Sequence, residues 1–338
     1  MSTPDTPFYP MTHDDAVALI AALEALNPGP AGSASQGFMG PAAYLSNGLI
    51  LEASEARAGL MSAGDKAKLN AAEALVFTAG RSLTQNAGFH NSIYRGKNLG
   101  SSVTAAQYAA IGAGTFDDLF IGDYWSIGGV TWRIAAFDYW FGYGDGDGVG
   151  VCNTHHIVVV PDENLNVADG STTHWMNASD TTVGAYVGSD WRTGNNGNGG
   201  RAACISKINS AFGSGHILTY RGFLQNAITN PSGSIAYESA GAWYDCTVEI
   251  MNERMVYGCD IFHNVTASGV IPNLYSIDHS QLPLFRLNHR HICNRAYWWL
   301  RDVVSTANFA NVLRHGHCSS FGASQPWVGV RPAFGIRA

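Results

Sequence analysis

Two pairs of histidines have spacings that could support metal chemistry. His315 and His317 are two residues apart, so on an extended segment both imidazoles face one side and could bind the same ion. The neighbouring sequence offers no obvious third ligand, which favours two surface contact residues instead. His155 and His156 are adjacent before a β-branched run, where neighbouring side chains point to opposite faces. We therefore expect one packed and one exposed histidine, and no metal ion or other cofactor.

The acidic residues raise two further possibilities. Asp145 and Asp147 alternate with glycine as in a calcium loop, but the bidentate glutamate of such a loop is missing, which favours a solvated loop. Asp245, Glu249 and Glu253 recur every four residues along one predicted helix stripe, where a pair such as Asp245 and Glu249 could mimic the carboxylates of a glycosidase. A solvated, charged helix face is the commoner reason for this spacing. The sequence contains no G-x-S-x-G, P-loop or H-E-x-x-H motif, so we do not expect an enzyme.

The C-terminal region carries the strongest signal for a binding surface. Two aromatic, β-prone segments, 297–301 and 329–334, are expected to form a rigid framework. The chain between them is rich in small polar side chains, with Phe321 and Trp327 as single large groups. Such a composition suits a recognition surface on a rigid scaffold, with the aromatic residues as anchors. An ordinary polar loop is an equally simple interpretation of the composition alone.

The overall composition limits the class of protein. The chain has 338 residues, of which 46% are hydrophobic and only 13% charged, so it can bury a large core and is not a solvated disordered chain. Its net charge of −7 argues against nucleic acid as a partner. No apolar run approaches the ~18 residues of a membrane span, and no secretory signal is evident, so we expect no membrane insertion. The six cysteines are scattered and are expected to be buried free thiols.

The N-terminal quarter is predicted to attach and oligomerise the protein. Thr12 begins a capped amphipathic helix within residues 1–28, and the Gly-, Pro- and Ser-rich stretch 29–58 is a linker. A second capped helix, beginning near Ser62, forms a neck within residues 59–79. Helices this short are marginal alone, so packing against copies of the same chain is the simplest source of stability.

Residues 80–338 are predicted to form an α+β head. A capping box at Thr104 begins a helix through Ile111, and two alternating runs joined by Gly128 and Gly129 predict a hairpin over 124–134. The remaining predicted elements are a buried strand over 156–160, helices over 202–212 and 247–257, and strands over 297–303 and 328–336.

Two parts of the sequence resemble known phage proteins. The segment L-M-S-A-G-D-K-A-K-L, residues 60–69, resembles an element common in phage tail fibres and other tail structural proteins. N-S-I-Y-R-G-K-N-L-G, residues 91–100, and the endings W-W-L-R and G-V-R-P-A-F resemble a domain family of phages and bacteria. The layout of this ending is similar to the C-type-lectin-like variable proteins of diversity-generating retroelements, in which a strand framework displays variable residues.

The resemblance implies a C-type-lectin-like head in a phage tail receptor-binding protein. Such a protein is part of the virion and lies at the tail tip. It is expected to be a homo-oligomer, most often a trimer, and to attach to the tail or baseplate through its N-terminus. It binds a host cell-surface protein or glycan. The framework residues carried over are Trp298, Trp299, Arg301, Gly329 and Arg331. The receptor-binding residues carried over are Asn308, Asn311, Leu313, Arg314, His315, His317, Ser319, Ser320, Phe321, Ser324, Gln325 and Trp327. A tailspike-type glycan hydrolase and a non-binding structural tail protein are the alternatives.

Overall fold

Strands outnumber helices in the part of the chain that the computed structural model describes, which is residues 86–144, 150–165, 174–194, 200–228, 239–259, 261–262 and 280–338. The predicted helix, linker and neck of the N-terminal quarter lie outside the described residues. Asp145 and Asp147 of the calcium-like loop also lie outside them. The described residues belong to one unit, Thr84–Ala338.

The helices and strands alternate irregularly along the chain. The helices are α1 Ala87–His90, α2 Ala105–Gly112, α3 Asp190–Thr193, α4 Gly200–Phe212, α5 Glu253–Tyr257 and α6 Pro283–Leu287. The strands are β1 Tyr124–Ile127, β2 Val130–Phe137, β3 Ile157–Pro161, β4 Tyr220–Ile228, β5 Ser239–Cys246, β6 Val248–Ile250, β7 Trp298–Val303, β8 Asn308–Val312, β9 Cys318–Gly322 and β10 Pro332–Ile336. Short 3₁₀ turns cover Ser214–His216 and His289–His291. This mixture of helix and sheet confirms the predicted α+β class.

Three antiparallel sheets organise the described residues. The largest has the strand order β1-β2-β3-β10-β6, and the others are the pair β4-β5 and the three-stranded sheet β7-β8-β9. The last strand, β10, therefore lies between β3 and β6 in the largest sheet. Every residue of β3 and β10 is buried, as expected for central strands that are covered on both faces.

Two local predictions are confirmed in detail. Gly128 and Gly129 have φ values of 60° and 76°, and positive φ at both central residues is what a type I′ hairpin turn requires. At the start of α2, Thr104 Oγ1 accepts a hydrogen bond from the Gln107 amide at 3.2 Å, and Gln107 Oε1 accepts one from the Thr104 amide at 2.9 Å. This is the reciprocal capping box that the sequence predicted.

The predicted helix over 247–257 is wrong in its first half. Val248–Ile250 instead forms β6, which is fully buried and pairs with β10. The helix begins only at Glu253, after Asn252 Oδ1 accepts a hydrogen bond from the Met255 amide at 2.8 Å. Pairing with a strand distant in sequence overrides the local helical spacing. The three carboxylates of the predicted stripe therefore do not lie on one helix.

Aromatic side chains fill the interior. The rings of Trp132, Phe212 and Phe334 lie with their centroids 5.5–5.6 Å apart, and the Trp140 ring stacks on Tyr220 at 3.9 Å. Offset and edge contacts of this kind stabilise a core beyond the area that they bury. The high aromatic content of the sequence is thus largely structural, and an exposed aromatic residue stands out against it.

The segment 91–100, one of those carrying the family resemblance, has a structural role. The Leu99 amide donates to the Tyr124 carbonyl at 2.7 Å, beside the start of β1. The Arg95 guanidinium pairs with the buried Asp123 carboxylate at 2.6 Å, and Lys97 pairs with Asp118 at 2.8 Å. Both cations of this segment are therefore used within the fold.

Candidate functional site

The two framework segments, 297–301 and 329–334, lie side by side and support the chain between them. The Trp299 amide donates to the Gly329 carbonyl and the Gly329 amide donates to the Tyr297 carbonyl, both at 2.9 Å. These bonds form a parallel bridge between Trp298 and Gly329. All five predicted framework residues are buried. Their side chains support the fold and are not presented to a partner.

Arg331 joins three parts of this framework. Its Nε donates to the Pro161 carbonyl at 3.0 Å, and Nη1 donates to the His291 carbonyl at 2.8 Å. Its guanidinium carbon lies 4.9 Å from the Trp298 ring centroid, within the range of a cation–π contact. Complete burial lowers the pKa of Arg331 to about 10, and the nearby Arg133 charge adds to that lowering. The arginine therefore remains charged at neutral pH and holds the end of β3, the 289–291 turn and β7 together.

The other framework side chains bind backbone groups. Trp299 Nε1 donates to the His174 carbonyl at 2.5 Å. Arg301 Nη1 donates to the Ile250 carbonyl at 3.4 Å, and the Arg301 backbone amide donates to the Met251 carbonyl at 3.0 Å. These contacts fix β7 against the segments on both sides of it, so the hairpin that follows β7 is built on a rigid base.

The chain between the framework segments forms the antiparallel hairpin of β8 and β9. Its turn is closed by a 2.8 Å hydrogen bond from the Leu313 amide to the His317 carbonyl, with Gly316 at a φ of 91°. His315 and His317 lie in this turn, with ring centroids 4.5 Å apart, and both are exposed. No group of three or more metal-ligating side chains occurs within the described residues.

Most predicted receptor-binding residues reach solvent. The exposed ones are Arg314, His315, His317 and Trp327. The half-buried ones are Asn308, Leu313, Ser319, Ser320, Phe321, Ser324 and Gln325. All five residues of β9 are half-buried, because this strand lies at one edge of the three-stranded sheet.

Asn311 is the exception, and its assignment to the receptor-binding set is wrong. It lies on the central strand β8, opposite Trp299 on β7 and Ser319 on β9, and it is completely buried. Neither its amide oxygen nor its amide nitrogen has a hydrogen-bond partner among the described residues. A residue in this position cannot contact a partner molecule.

Three aromatic rings come together at the surface beside this hairpin. The Trp327 centroid lies 4.6 Å from that of Phe321 and 4.9 Å from that of Tyr297, and the Tyr297 and Phe321 centroids are 5.8 Å apart. Trp327 is 43% exposed. We call these residues the aromatic trio. Tyr297 was not among the predicted receptor-binding residues, since it precedes β7 and belongs to the framework segment in sequence.

Asp180 fixes the turn that follows β9. Its Oδ1 accepts hydrogen bonds from the Ser324 amide at 2.9 Å and from the Ser324 hydroxyl at 2.7 Å. These two bonds lower the pKa of Asp180. A Cβ atom at Gly322 would overlap the same carboxylate, so the close approach depends on glycine. The Ser324 hydroxyl is thus used internally, and the chain leading to Trp327 is held in place.

The acidic residues of the hydrolase hypothesis occupy three different environments. The Asp245 side chain is 72% exposed and pairs with Arg221. Glu249 is buried and accepts a 2.6 Å hydrogen bond from the Tyr186 hydroxyl; Arg192 and Arg201 pair with it at 3.2 Å and 3.1 Å. Burial and the Glu249 charge raise the pKa of Tyr186, so the tyrosine remains a neutral donor.

Glu253 is likewise committed to the fold. It is completely buried, and its Oε2 accepts hydrogen bonds from the amides of Ile261 and Phe262 at 2.6 Å and 3.0 Å. Of the predicted catalytic pair, Asp245 and Glu249, only Asp245 is therefore open to solvent, and Glu249 is buried in structural contacts. This arrangement provides no open acid and base on one solvated face.

Of the adjacent histidines, His156 is packed as the sequence predicted, whereas His155 is half-buried where an exposed side chain was predicted. The His155 side chain is 35% exposed and contacts Asp138 at 2.7 Å, whereas His156 is completely buried. His156 Nδ1 donates to the Thr154 carbonyl at 2.8 Å, and Nε2 accepts from the Trp140 amide at 3.1 Å. Burial lowers the pKa of His156. Its role is to satisfy two backbone groups in the core.

Comparison with known proteins gives no match: no family model, no curated protein and no solved structure is similar to the chain. Within the described residues, no helix has the length and apolar character needed to cross a membrane. The function must therefore be inferred from the residues themselves.

Proposed function

We propose that this protein is an adhesin that binds a host cell-surface molecule through the aromatic trio and the exposed residues of the β8–β9 hairpin. The observation that carries the proposal is a cluster of three aromatic rings at the edge of the β8–β9 hairpin, in which the exposed Trp327 packs on the half-buried Phe321 and Tyr297 above a buried, hydrogen-bonded base. No bond is made or broken in the partner.

The energetics of binding favour this surface over other exposed parts. Large aromatic side chains dominate the binding energy of most interfaces, because they bury much area and lose little conformational freedom. The Asp180 contacts and the turn bond between Leu313 and His317 fix the backbone on both sides of β9. A surface ordered before binding loses less entropy when the partner binds.

The setting that we propose is a phage tail. The tail-fibre-like segment 60–69 and the paired W-W-L-R and G-V-R-P-A-F segments support a receptor-binding protein at the tail tip, with a C-type-lectin-like head. In this proposal the N-terminal quarter trimerises and attaches to the tail or baseplate. Three linked heads raise avidity over a single head by about 10²–10⁴, so each head needs only modest affinity.

The hydrolase alternative would use a carboxylate pair such as Asp245 and Glu249. Asp245 is exposed, but Glu249 is buried and held by Tyr186 and two arginines, which argues against an acid and a base on one open face. Two measurements distinguish the two alternatives from the adhesin. A hydrolase would release reducing sugar from polysaccharide, and a purely structural tail protein would show no binding to host cells.

The test is the binding of the labelled full chain to a panel of bacterial strains. Trp327→Ala is expected to weaken binding to the strain that the wild type binds by about 30-fold, the usual effect of removing a dominant aromatic anchor. Phe141→Ala is the matched control, because Phe141 is 39% exposed and lies outside the trio. The proposal fails if the Trp327 variant binds as tightly as the wild type, or if the wild type binds no strain.

A further inference from the structure

The C-terminal part of the chain has a charge opposite to that of the whole protein. Residues 283–338 contain seven arginines and only one acidic residue, Asp302, whereas the chain as a whole carries a net charge of −7. Asp302 is buried, as are Arg301 and Arg331. The arginines that remain exposed are Arg286, Arg290, Arg295 and Arg314.

These exposed arginines differ from the arginines that stabilise the fold. Arg95, Arg133 and Arg192 each pair with a carboxylate, at 2.6, 2.5 and 3.2 Å. None of the four exposed arginines forms an ion pair with any residue that the structure describes. Arg286 uses one N–H on the Asn91 carbonyl at 3.3 Å. The charges of the other three are therefore available to a partner.

The segment that carries Arg290 and Arg295 lies against the hairpin that carries Arg314. The Cys293 thiol donates to the Arg314 carbonyl at 3.1 Å, and a Cβ on Gly316 would be 3.4 Å from the Cys293 Cβ. This contact places the two segments at the same end of the three-stranded sheet. We call Arg290, Arg295 and Arg314 the cationic rim.

The same segment is tied to the aromatic trio. Asn294 Nδ2 donates to Asn164 Oδ1 at 3.0 Å, and Asn164 Nδ2 donates to the Tyr297 carbonyl at 2.8 Å. The Asn294 side chain also accepts from the Ala296 amide at 3.1 Å, which fixes the backbone around Arg295. The cationic rim and the aromatic trio thus share one rigid region.

We propose that the ligand of the aromatic trio is an acidic polysaccharide, and this inference rests on the proposed function. The apolar faces of its sugar rings pack on the trio, and its carboxylate or phosphate groups pair with the cationic rim. A guanidinium presents a planar set of donors that matches both anions. A strongly acidic peptide would satisfy the rim but would leave the trio without a flat apolar partner.

The experiment measures binding of the full chain to an array of bacterial surface polysaccharides that includes acidic and neutral members. Each acidic polysaccharide that binds is tested again after chemical reduction of its carboxyl groups and, separately, after removal of its phosphate. These two treatments distinguish the two sources of negative charge. Binding is repeated from low to high salt, because pairing between exposed charges weakens as the solution screens them.

A triple variant, Arg290→Ser, Arg295→Ser and Arg314→Ser, tests the cationic rim. Loss of one exposed ion pair lowers affinity by about two- to fivefold. Removal of all three arginines should therefore weaken binding by about 10- to 100-fold, and the remaining binding should depend little on salt. The matched control replaces the same three residues by lysine, which retains the charge and much of the salt dependence. Thermal unfolding should be the same for all three proteins, because none of these side chains is buried.

The outcomes separate this inference from the proposed function. Binding confined to acidic polysaccharides, lost on reduction or dephosphorylation, supports both. Binding only to neutral polysaccharides, or binding to cells with no polysaccharide bound on the array, overturns the inference and leaves the adhesin intact. Equal affinity for duplex DNA also overturns it, since the rim would then be a general anion site. Binding to neither cells nor polysaccharides overturns the inference and the proposed function together.

Discussion

Protonation of His291 is expected to destabilise the protein as the pH falls below 6.5. This side chain is only 18% exposed and lies near Arg133 and Arg331, with Asp162 Oδ1 3.7 Å from its Nδ1. Burial, together with the two arginine charges, lowers its pKa from 6.5 to about 4, even though Asp162 acts in the opposite direction. A hydrogen bond of 2.9 Å also joins its Nε2 to the Tyr94 hydroxyl.

The sign and size of the effect follow from the shift. The unfolded chain binds a proton at His291 near pH 6.5, whereas the folded protein resists it until about pH 4. Stability from this group is therefore complete above pH 6.5 and is lost as the pH falls between those values. A shift of this size corresponds to about 3 kcal/mol, at about 1.4 kcal/mol per pK unit.

The assay is urea unfolding of the wild type and of His291→Gln from pH 7.5 to pH 4. Glutamine stays neutral, so the wild type should lose up to about 3 kcal/mol relative to the variant over this range. Tyr94→Phe is the control, because it removes the hydrogen bond but leaves the arginines and the burial that cause the shift. It should keep the wild-type pH dependence. Parallel curves for the wild type and His291→Gln would refute the reasoning.

Three further substitutions test other parts of the structure. Asn311→Leu should raise the free energy of unfolding by about 1–2 kcal/mol, since it removes a buried amide without partners; unchanged or lower stability in urea would contradict this. Asp180→Ala should weaken cell binding while leaving the melting temperature almost unchanged, because it releases Ser324 from an exposed contact; equal affinity would show that the turn needs no such anchor. Glu249→Ala should cost about 2–4 kcal/mol in chemical denaturation, because it removes the buried carboxylate that pairs with two half-buried arginines. A stable Glu249 variant that has lost release of reducing sugar from polysaccharide would instead support the hydrolase.

The sequence predicts best those elements whose signals are local. The Thr104 capping box and the two glycines of the first hairpin need only neighbouring residues to form, and both are confirmed. The segment 247–257 has helical spacing, but Val248–Ile250 pairs with β10, more than 80 residues further along the chain. No local pattern contains that information.

In the candidate site, too, the sequence predicts what depends on neighbouring residues and misses what depends on distant ones. The framework segments are recognisable by their aromatic and arginine residues, and polar composition identifies the chain between them. Composition could not separate Asn311 from its exposed neighbours, because β8 is a central strand covered on both faces and buries Ala310 and Val312 as well. Asp180 is 144 residues from Ser324, and only the folded chain brings them together.

The aromatic trio as the contact surface is tested most directly by hydroxyl-radical footprinting of the full chain, free and bound to cells of a strain that it binds. Oxidation of Trp327 and Phe321 should fall on binding, while Phe141, an exposed ring outside the trio, should stay as reactive as in the free protein. Protection of Phe141 with Trp327 and Phe321 unchanged would contradict the adhesive role of this surface.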